Sequence, residues 1–193
     1  MADSTEKPAR QRVLMVCGSL RERSFNRQMG EVAAHTLNRH VEVRWLDYSD
    51  VPIFNQDLEF PTPDPVARVR REVEEADALW ILCPEYNSGL PAVLKNLIDW
   101  LSRPIEHGGK ETALKHKLVT HSGAVGGSAA AFAAAELVDV LARAQADTLL
   151  TLHTQAKLAP EDYLTNVLSM SPSETETLKT QAHVLLERMG AMK

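Results

Sequence analysis

Val13-Leu14-Met15-Val16-Cys17 is a run with no polar side chain, and it stops at Gly18-Ser19. A strand open to solvent on one side alternates apolar and polar residues, whereas a strand covered by helices on both faces does not. The run therefore predicts an interior strand of a parallel sheet. Ser24 then offers a cap for a helix whose apolar residues fall at Phe25, Met29, Val32, Ala33 and Leu37, close to the 3.6-residue period. A second run of the same kind, Ala78-Leu79-Trp80-Ile81-Leu82-Cys83, ends at Pro84.

The intervening and following segments repeat the unit. Residues 41–46 alternate in character, as expected of a half-exposed strand near a sheet edge. Pro52, Pro61, Pro63 and Pro65 punctuate a loop, after which residues 66–75 resume a helical pattern. Leu90, Val93, Leu94, Leu97, Ile98 and Leu101 form one apolar stripe, with Pro91 where a first helical turn tolerates it. Residues 117–121 and 148–152 are the fourth and fifth strand candidates, separated by a glycine-rich turn and an alanine-rich helix reaching about Ala144. Ser173 and Glu176 have capping-box spacing ahead of a last helix carrying Leu178, Ala182, Leu185, Leu186 and Met189 on one face. Strands alternating with helices in this way predict one α/β domain with a doubly wound parallel sheet over residues 13–193. Residues 1–12 are expected to be a flexible tail.

Composition narrows the function. The 193 residues carry 21 Lys and Arg against 26 Asp and Glu, a net charge of -5, which argues against a broad nucleic-acid face. The longest apolar runs fall well short of the roughly 18 residues of a membrane span. Two cysteines form no disulfide framework, so a reducing, cytoplasmic setting is expected, with Cys17 and Cys83 as buried structural thiols. Seven scattered histidines suggest no metal site.

Ligands of open α/β sheets bind beyond the carboxyl ends of the strands. The loop after the first strand reads Gly18-Ser19-Leu20-Arg21-Glu22-Arg23-Ser24-Phe25-Asn26. It feeds a helix N-terminus, and Ser19, Arg21, Ser24 and Asn26 add donors suited to an anion, phosphate above all. The loop Pro84-Glu85-Tyr86-Asn87-Ser88-Gly89-Leu90-Pro91 holds an aromatic and several hydrogen-bonding groups between two prolines, a setting for a planar heterocycle. In it, Gly89 is expected to allow close approach and Glu85 to contribute mainly its backbone. The third loop carries Gly123, Gly126 and Gly127, where missing side chains would let backbone N–H groups close on a ligand. Neither a G-x-G-x-x-G fingerprint in the first loop nor a P-loop anywhere is present.

The strand followed by G-S-x-R-x-x-S-x-N, together with P-E-Y-N-x-x-x-P-x-x-L-K-N-x-I-D-W from Pro84 to Trp100, resembles the NADPH-dependent FMN reductase family. The resemblance implies a flavodoxin-like fold with a five-stranded sheet of order 2-1-3-4-5. It also implies an FMN cofactor whose phosphate sits at Ser19, Arg21, Ser24 and Asn26. The isoalloxazine would border Pro84, Glu85, Tyr86, Asn87, Ser88 and Gly89, with Gly123, Gly126 and Gly127 matching the third motif. NADPH or NADH would be the hydride donor, and a quinone-like, azo, chromate or flavin molecule the small-molecule electron acceptor, in ping-pong turnover with no obligatory catalytic side chain. A homodimer or homotetramer is implied, with Trp100 a candidate contact and the arginines at 68, 70 and 71 a solvated or partner-facing group. The sequence departs from some quinone-reducing members at Ala129, where they place an arginine, and at Ile98, where alanine is frequent. The competing reading is a flavodoxin-type electron carrier or redox sensor that binds FMN without NAD(P)H turnover.

Overall fold

The two uninterrupted apolar runs become neighbouring strands. In the computed structural model, which describes residues 10–126 and 131–192, β1 (Arg12–Cys17) and β3 (Ala78–Leu82) pair in parallel, with Val13 opposite Ala78 and Cys17 opposite Leu82. β2 (Glu42–Trp45) forms the edge beside β1, and β4 (Leu118–Val125) lies on the far side of β3. The resulting order is 2-1-3-4-5, all parallel, which is the flavodoxin-like arrangement.

Alternating side chains send each run into two cores. Val13, Met15, Trp80 and Leu82 pack with Met29 and Leu37 of α1 (Phe25–Leu37) and Leu178 and Leu185 of α6 (Pro172–Met189). Leu14, Val16, Leu79 and Ile81 face the opposite way. They meet Val69 and Val73 of α2 (Asp64–Glu75), Leu94 and Leu97 of α3 (Ala92–Leu101), and Leu137 and Leu141 of α4 (Ala131–Arg143). Burial of each such side chain is worth about 1.5–3 kcal/mol. The polar exception in β3 is satisfied, because the Trp80 indole N–H donates to Ser122 Oγ at 2.6 Å.

The fifth sheet position differs from the single strand expected at 148–152. It is shared by β5 (Asp147–Thr148) and β6 (Thr154–Lys157), both paired to β4, with residues 149–153 looping out between them. Gln181 of α6 makes the break tolerable. Its amide nitrogen donates to Thr120 Oγ1 and to the His121 carbonyl, both at 2.8 Å, and its oxygen accepts from the Thr154 N–H at 2.9 Å and the Thr154 hydroxyl at 2.7 Å. Pairing with β6 also extends β4 to Val125, well past the expected end at 121, so Gly123 belongs to a strand.

Three further expectations are corrected. The final helix is capped by Ser171 and Glu174, two residues ahead of the Ser173–Glu176 pair, because Pro172 takes the first helical position. Trp100 is fully buried, its indole N–H donating to the Pro52 carbonyl at 2.8 Å and its ring edge-on to Phe54, so it offers no surface to a partner. Arg70 is also buried, and its guanidinium donates to the Trp100 carbonyl at 3.1 Å near the end of α3, where a cation is favoured. Ile98 is buried in the same core as Leu94 and Leu97. Most of the expected tail (residues 1–9), Gly127 and Ala129 lie outside the described residues.

Candidate active site

Three loops and one short helix meet at the carboxyl edge of the sheet. The first loop leaves β1 with the Gly18 N–H bonded to the Leu82 carbonyl at 2.7 Å. Beneath it, the buried Tyr48 hydroxyl donates to the Cys17 carbonyl. A turn closes from Arg21 to Ser24, whose N–H donates to the Arg21 carbonyl at 3.1 Å. Ser24 Oγ accepts from the Arg27 N–H at 3.3 Å and so caps α1. Helix geometry leaves the N–H groups of Phe25 and Asn26 without intrahelical acceptors, and the dipole there favours an anion. The Arg21 guanidinium lies 4.7 Å from the centre of the Phe25 ring, above this turn. Asn26 is buried and its amide is engaged twice with the Ala124 backbone, both at 3.0 Å, which ties the start of α1 to β4.

The second loop is a tight hairpin. Tyr86 and Gly89 exchange two backbone hydrogen bonds of 3.1 Å, and the central residues Asn87 and Ser88 have φ of 52° and 59°. Two left-handed positions are what a two-residue type I′ turn requires, here without glycine at either. Gly89 follows the turn and is neither of its left-handed positions. The hairpin holds Tyr86 half-exposed, with its hydroxyl donating to Ser19 Oγ at 3.2 Å across the mouth.

Glu85 does more than lend its backbone. One carboxylate oxygen accepts from the N–H groups of Phe132 and Ala133, both at 3.1 Å, at the start of α4. Glu136, one turn on, accepts from the Leu90 N–H at 2.8 Å. Two carboxylates thus join the second loop to α4.

Gly123 lies in β4, where a Cβ would collide with the Cys83 carbonyl oxygen; its role is close packing of β4 against the end of β3. Gly126 does reach the cleft, and a Cβ there would stand 3.1 Å from the Tyr163 hydroxyl.

These elements enclose a cleft of about 440 Å³. Ser19, Arg21, Ser24, Asn26, Pro84, Glu85, Tyr86 and Gly126 line it. Asn87, Ser88, Gly89 and Gly123 do not; the first three build the hairpin that carries Tyr86. Leu158, Tyr163 and Asn166 also line it, and sequence reasoning missed them. Pro160 followed by Glu161 and Asp162 is a helix-start signal that marks α5 (Pro160–Thr165). Nothing in that pattern places the helix over the cleft. Size does not single this cleft out, since a hollow of about 470 Å³ lies across the first loop, by Cys17, Trp45 and Tyr48. Chemistry does: a helix N-terminus, a guanidinium and hydroxyls line it together with an aromatic, a proline and a bare glycine.

The thiols are structural. Cys17 and Cys83 are free and buried. Burial, with the charges of Glu136 and Glu85 adding to it, pushes the Cys83 pKa up to about 12, and burial raises that of Cys17. Both stay protonated near neutrality, which makes them poor nucleophiles.

Fold and cleft define a flavodoxin-like protein with a candidate small-molecule site at the carboxyl edge of its sheet. The chain belongs to the NADPH-dependent FMN reductase family, which it matches over residues 11–155. It is 35% identical over 118 residues to a 2-hydroxy-1,4-benzoquinone reductase of Burkholderia sp, covering 60% of this chain and 63% of that one. It is 38% identical over 106 residues to the NAD(P)H-dependent FMN reductase PA1204 of Pseudomonas aeruginosa, covering 53% of this chain and 57% of that one. The chain thus spans about six tenths of the length of these relatives. The structure is similar to that of FerB, a flavoenzyme NAD(P)H:(acceptor) oxidoreductase from Paracoccus denitrificans. The TM-score is 0.80 at 26% identity, over 93% of this chain and 97% of that one.

Proposed function

We propose that the protein is an FMN-dependent NAD(P)H oxidoreductase that takes hydride from NADPH or NADH and delivers two electrons to a quinone-like acceptor. Azo compounds, chromate and free flavin are further candidate acceptors of the same electrons. The observation that carries this reading is that one cleft brings anion-seeking groups together with groups that accept a flat ring. The first are Arg21, the Ser19 and Ser24 hydroxyls and the first turn of α1. The second are Pro84, Tyr86 and the bare backbone of Gly126. A molecule that carries both a phosphate and a planar ring suits that lining, and FMN is such a molecule.

In this reading the flavin ring supplies the two-electron chemistry between hydride donor and acceptor. The chain binds and orients. Arg21 and the α1 N-terminus hold the phosphate, while the hairpin of Tyr86, Asn87, Ser88 and Gly89 positions the ring edge. Gly126 leaves room for the ring to approach backbone; Gly127, expected to do the same, lies outside the described residues. One cleft then receives nucleotide and acceptor in turn, hence ping-pong kinetics. We infer a homodimer or homotetramer, supported by the exposed Phe132 beside the Glu85-capped start of α4. A cytoplasmic setting suits two free thiols, and among the described residues no helix is long and apolar enough to cross a membrane. Uptake of FMN tests the assignment: stoichiometric retention through gel filtration is expected, and failure to retain it at any concentration contradicts the reading.

A further inference from the structure

Residues 158–166 form the fourth side of the cleft, and they lie beyond the stretch matched by the family, which ends at 155. We propose that Asn166 is a positioning residue that presents Arg21 to the flavin phosphate, and that this strap thereby makes the chain select phosphorylated flavin. The proposal rests on the reading of the cleft as an FMN site.

Arg21 sits on an exposed loop, and among the described residues no carboxylate pairs with it. A free arginine side chain spends its time among many rotamers, and ordering it on ligand arrival costs affinity. Here two contacts hold it in place beforehand. Its guanidinium lies over the Phe25 ring, and one terminal nitrogen donates to Asn166 Oδ1 at 2.8 Å. Five N–H donors on a guanidinium leave most of the fork free for phosphate oxygens.

The strap is itself anchored to the helix whose N-terminus would take the anion. Gln28 of α1 donates to the Asn166 carbonyl at 3.1 Å and accepts from the Leu168 N–H at 2.9 Å. Tyr163 meets the Phe25 ring edge-on at 5.8 Å. Inside the strap, the buried Asp162 carboxylate accepts from the N–H groups of Ala159 and Ser169 at 2.9 and 3.0 Å. Asn166 ends α5 with φ of 56°, a left-handed conformation that asparagine accepts more readily than most residues.

The choice of an amide is the telling part. A carboxylate at 166 would grip Arg21 more strongly, but it would neutralise the guanidinium and set a negative charge beside the phosphate. A neutral acceptor fixes the geometry and leaves the positive charge available to the ligand.

The test compares FMN with riboflavin, which lacks the phosphate, by fluorescence-quenching titration of the full chain. Asn166→Gly removes the amide without penalising the left-handed backbone. It should weaken FMN about tenfold, the worth of one charge-assisted hydrogen bond, and leave riboflavin within about twofold. Asn166→Asp, which keeps an acceptor, should weaken FMN at least as much as Asn166→Gly. In an Arg21→Ala background, Asn166→Gly should add no further loss for FMN. Equal losses for both flavins, wild-type FMN affinity in Asn166→Asp, or additive losses in the double variant would each overturn the proposal while leaving the FMN assignment standing. Absence of FMN binding by the wild-type chain would remove both.

Discussion

Glu85→Ala tests whether the second loop is fastened to α4 through a side chain. The substitution deletes the oxygen that accepts from the Phe132 and Ala133 N–H groups at 3.1 Å each. A side-chain cap on a helix N-terminus is worth about 1 kcal/mol, and a negative charge there adds about 0.3–1 kcal/mol. Glu85 is only half-buried, which favours the lower part of the combined range, about 1.5 kcal/mol. For a chain of this size each kcal/mol shifts Tm by about 2–4 °C, so the alanine variant should melt about 3–6 °C lower. Glu85→Gln keeps an acceptor and loses the charge, and should fall between the two. Differential scanning calorimetry at pH 7 reads all three. The loop also walls the cleft, so flavin affinity should weaken in the same order. An alanine variant melting within about 1 °C of wild type, or a glutamine variant as destabilised as alanine, would refute the capping argument.

Gln181→Leu should be costly, because it strands the Thr154 N–H and the His121 carbonyl in the core. A loss of about 3 kcal/mol is expected in urea unfolding, with amide exchange at Thr154 accelerated. His121 predicts the acid side of the stability curve. Burial, with the neighbouring His153 adding to it, pushes its pKa down to about 4, whereas an unfolded histidine titrates near 6.5. Between those values the unfolded chain binds more protons, so stability falls as pH drops through that window, by about 2 kcal/mol at pH 5 relative to neutrality. A urea midpoint flat between pH 7 and 5, or the same slope in His121→Gln, would contradict this.

How much of this was legible in the sequence depended on whether the cause was local. The interior strands β1 and β3 announced themselves because cover on both faces demands unbroken apolar runs. The loops after β1 and β3 stood out by their own chemistry, and eight of the residues predicted for the site do line the cleft. What could not be read depended on distant partners. The split of the fifth position is permitted by Gln181, about 30 residues further on, whose amide replaces missing strand pairing. The Ser171 and Ser173 capping boxes share the same spacing, and only the fit of Pro172 into the first turn decides between them. Asn166 gave no signal at all, since its reach to Arg21 spans 145 positions and its left-handed backbone is a three-dimensional fact. Trp100 misled because an aromatic next to a stripe can face either way, and the Pro52 carbonyl that buries it lies 48 positions upstream.

The most direct measurement is an anaerobic two-step titration of the FMN-loaded protein. NADPH or NADH is added first, and then a benzoquinone once the nucleotide has been consumed. The expected result is bleaching of the oxidised flavin band by one equivalent of nucleotide per FMN, followed by its full return with one equivalent of quinone. Flavin that binds but stays oxidised with both nucleotides would contradict the oxidoreductase function and leave a flavodoxin-type electron carrier in its place.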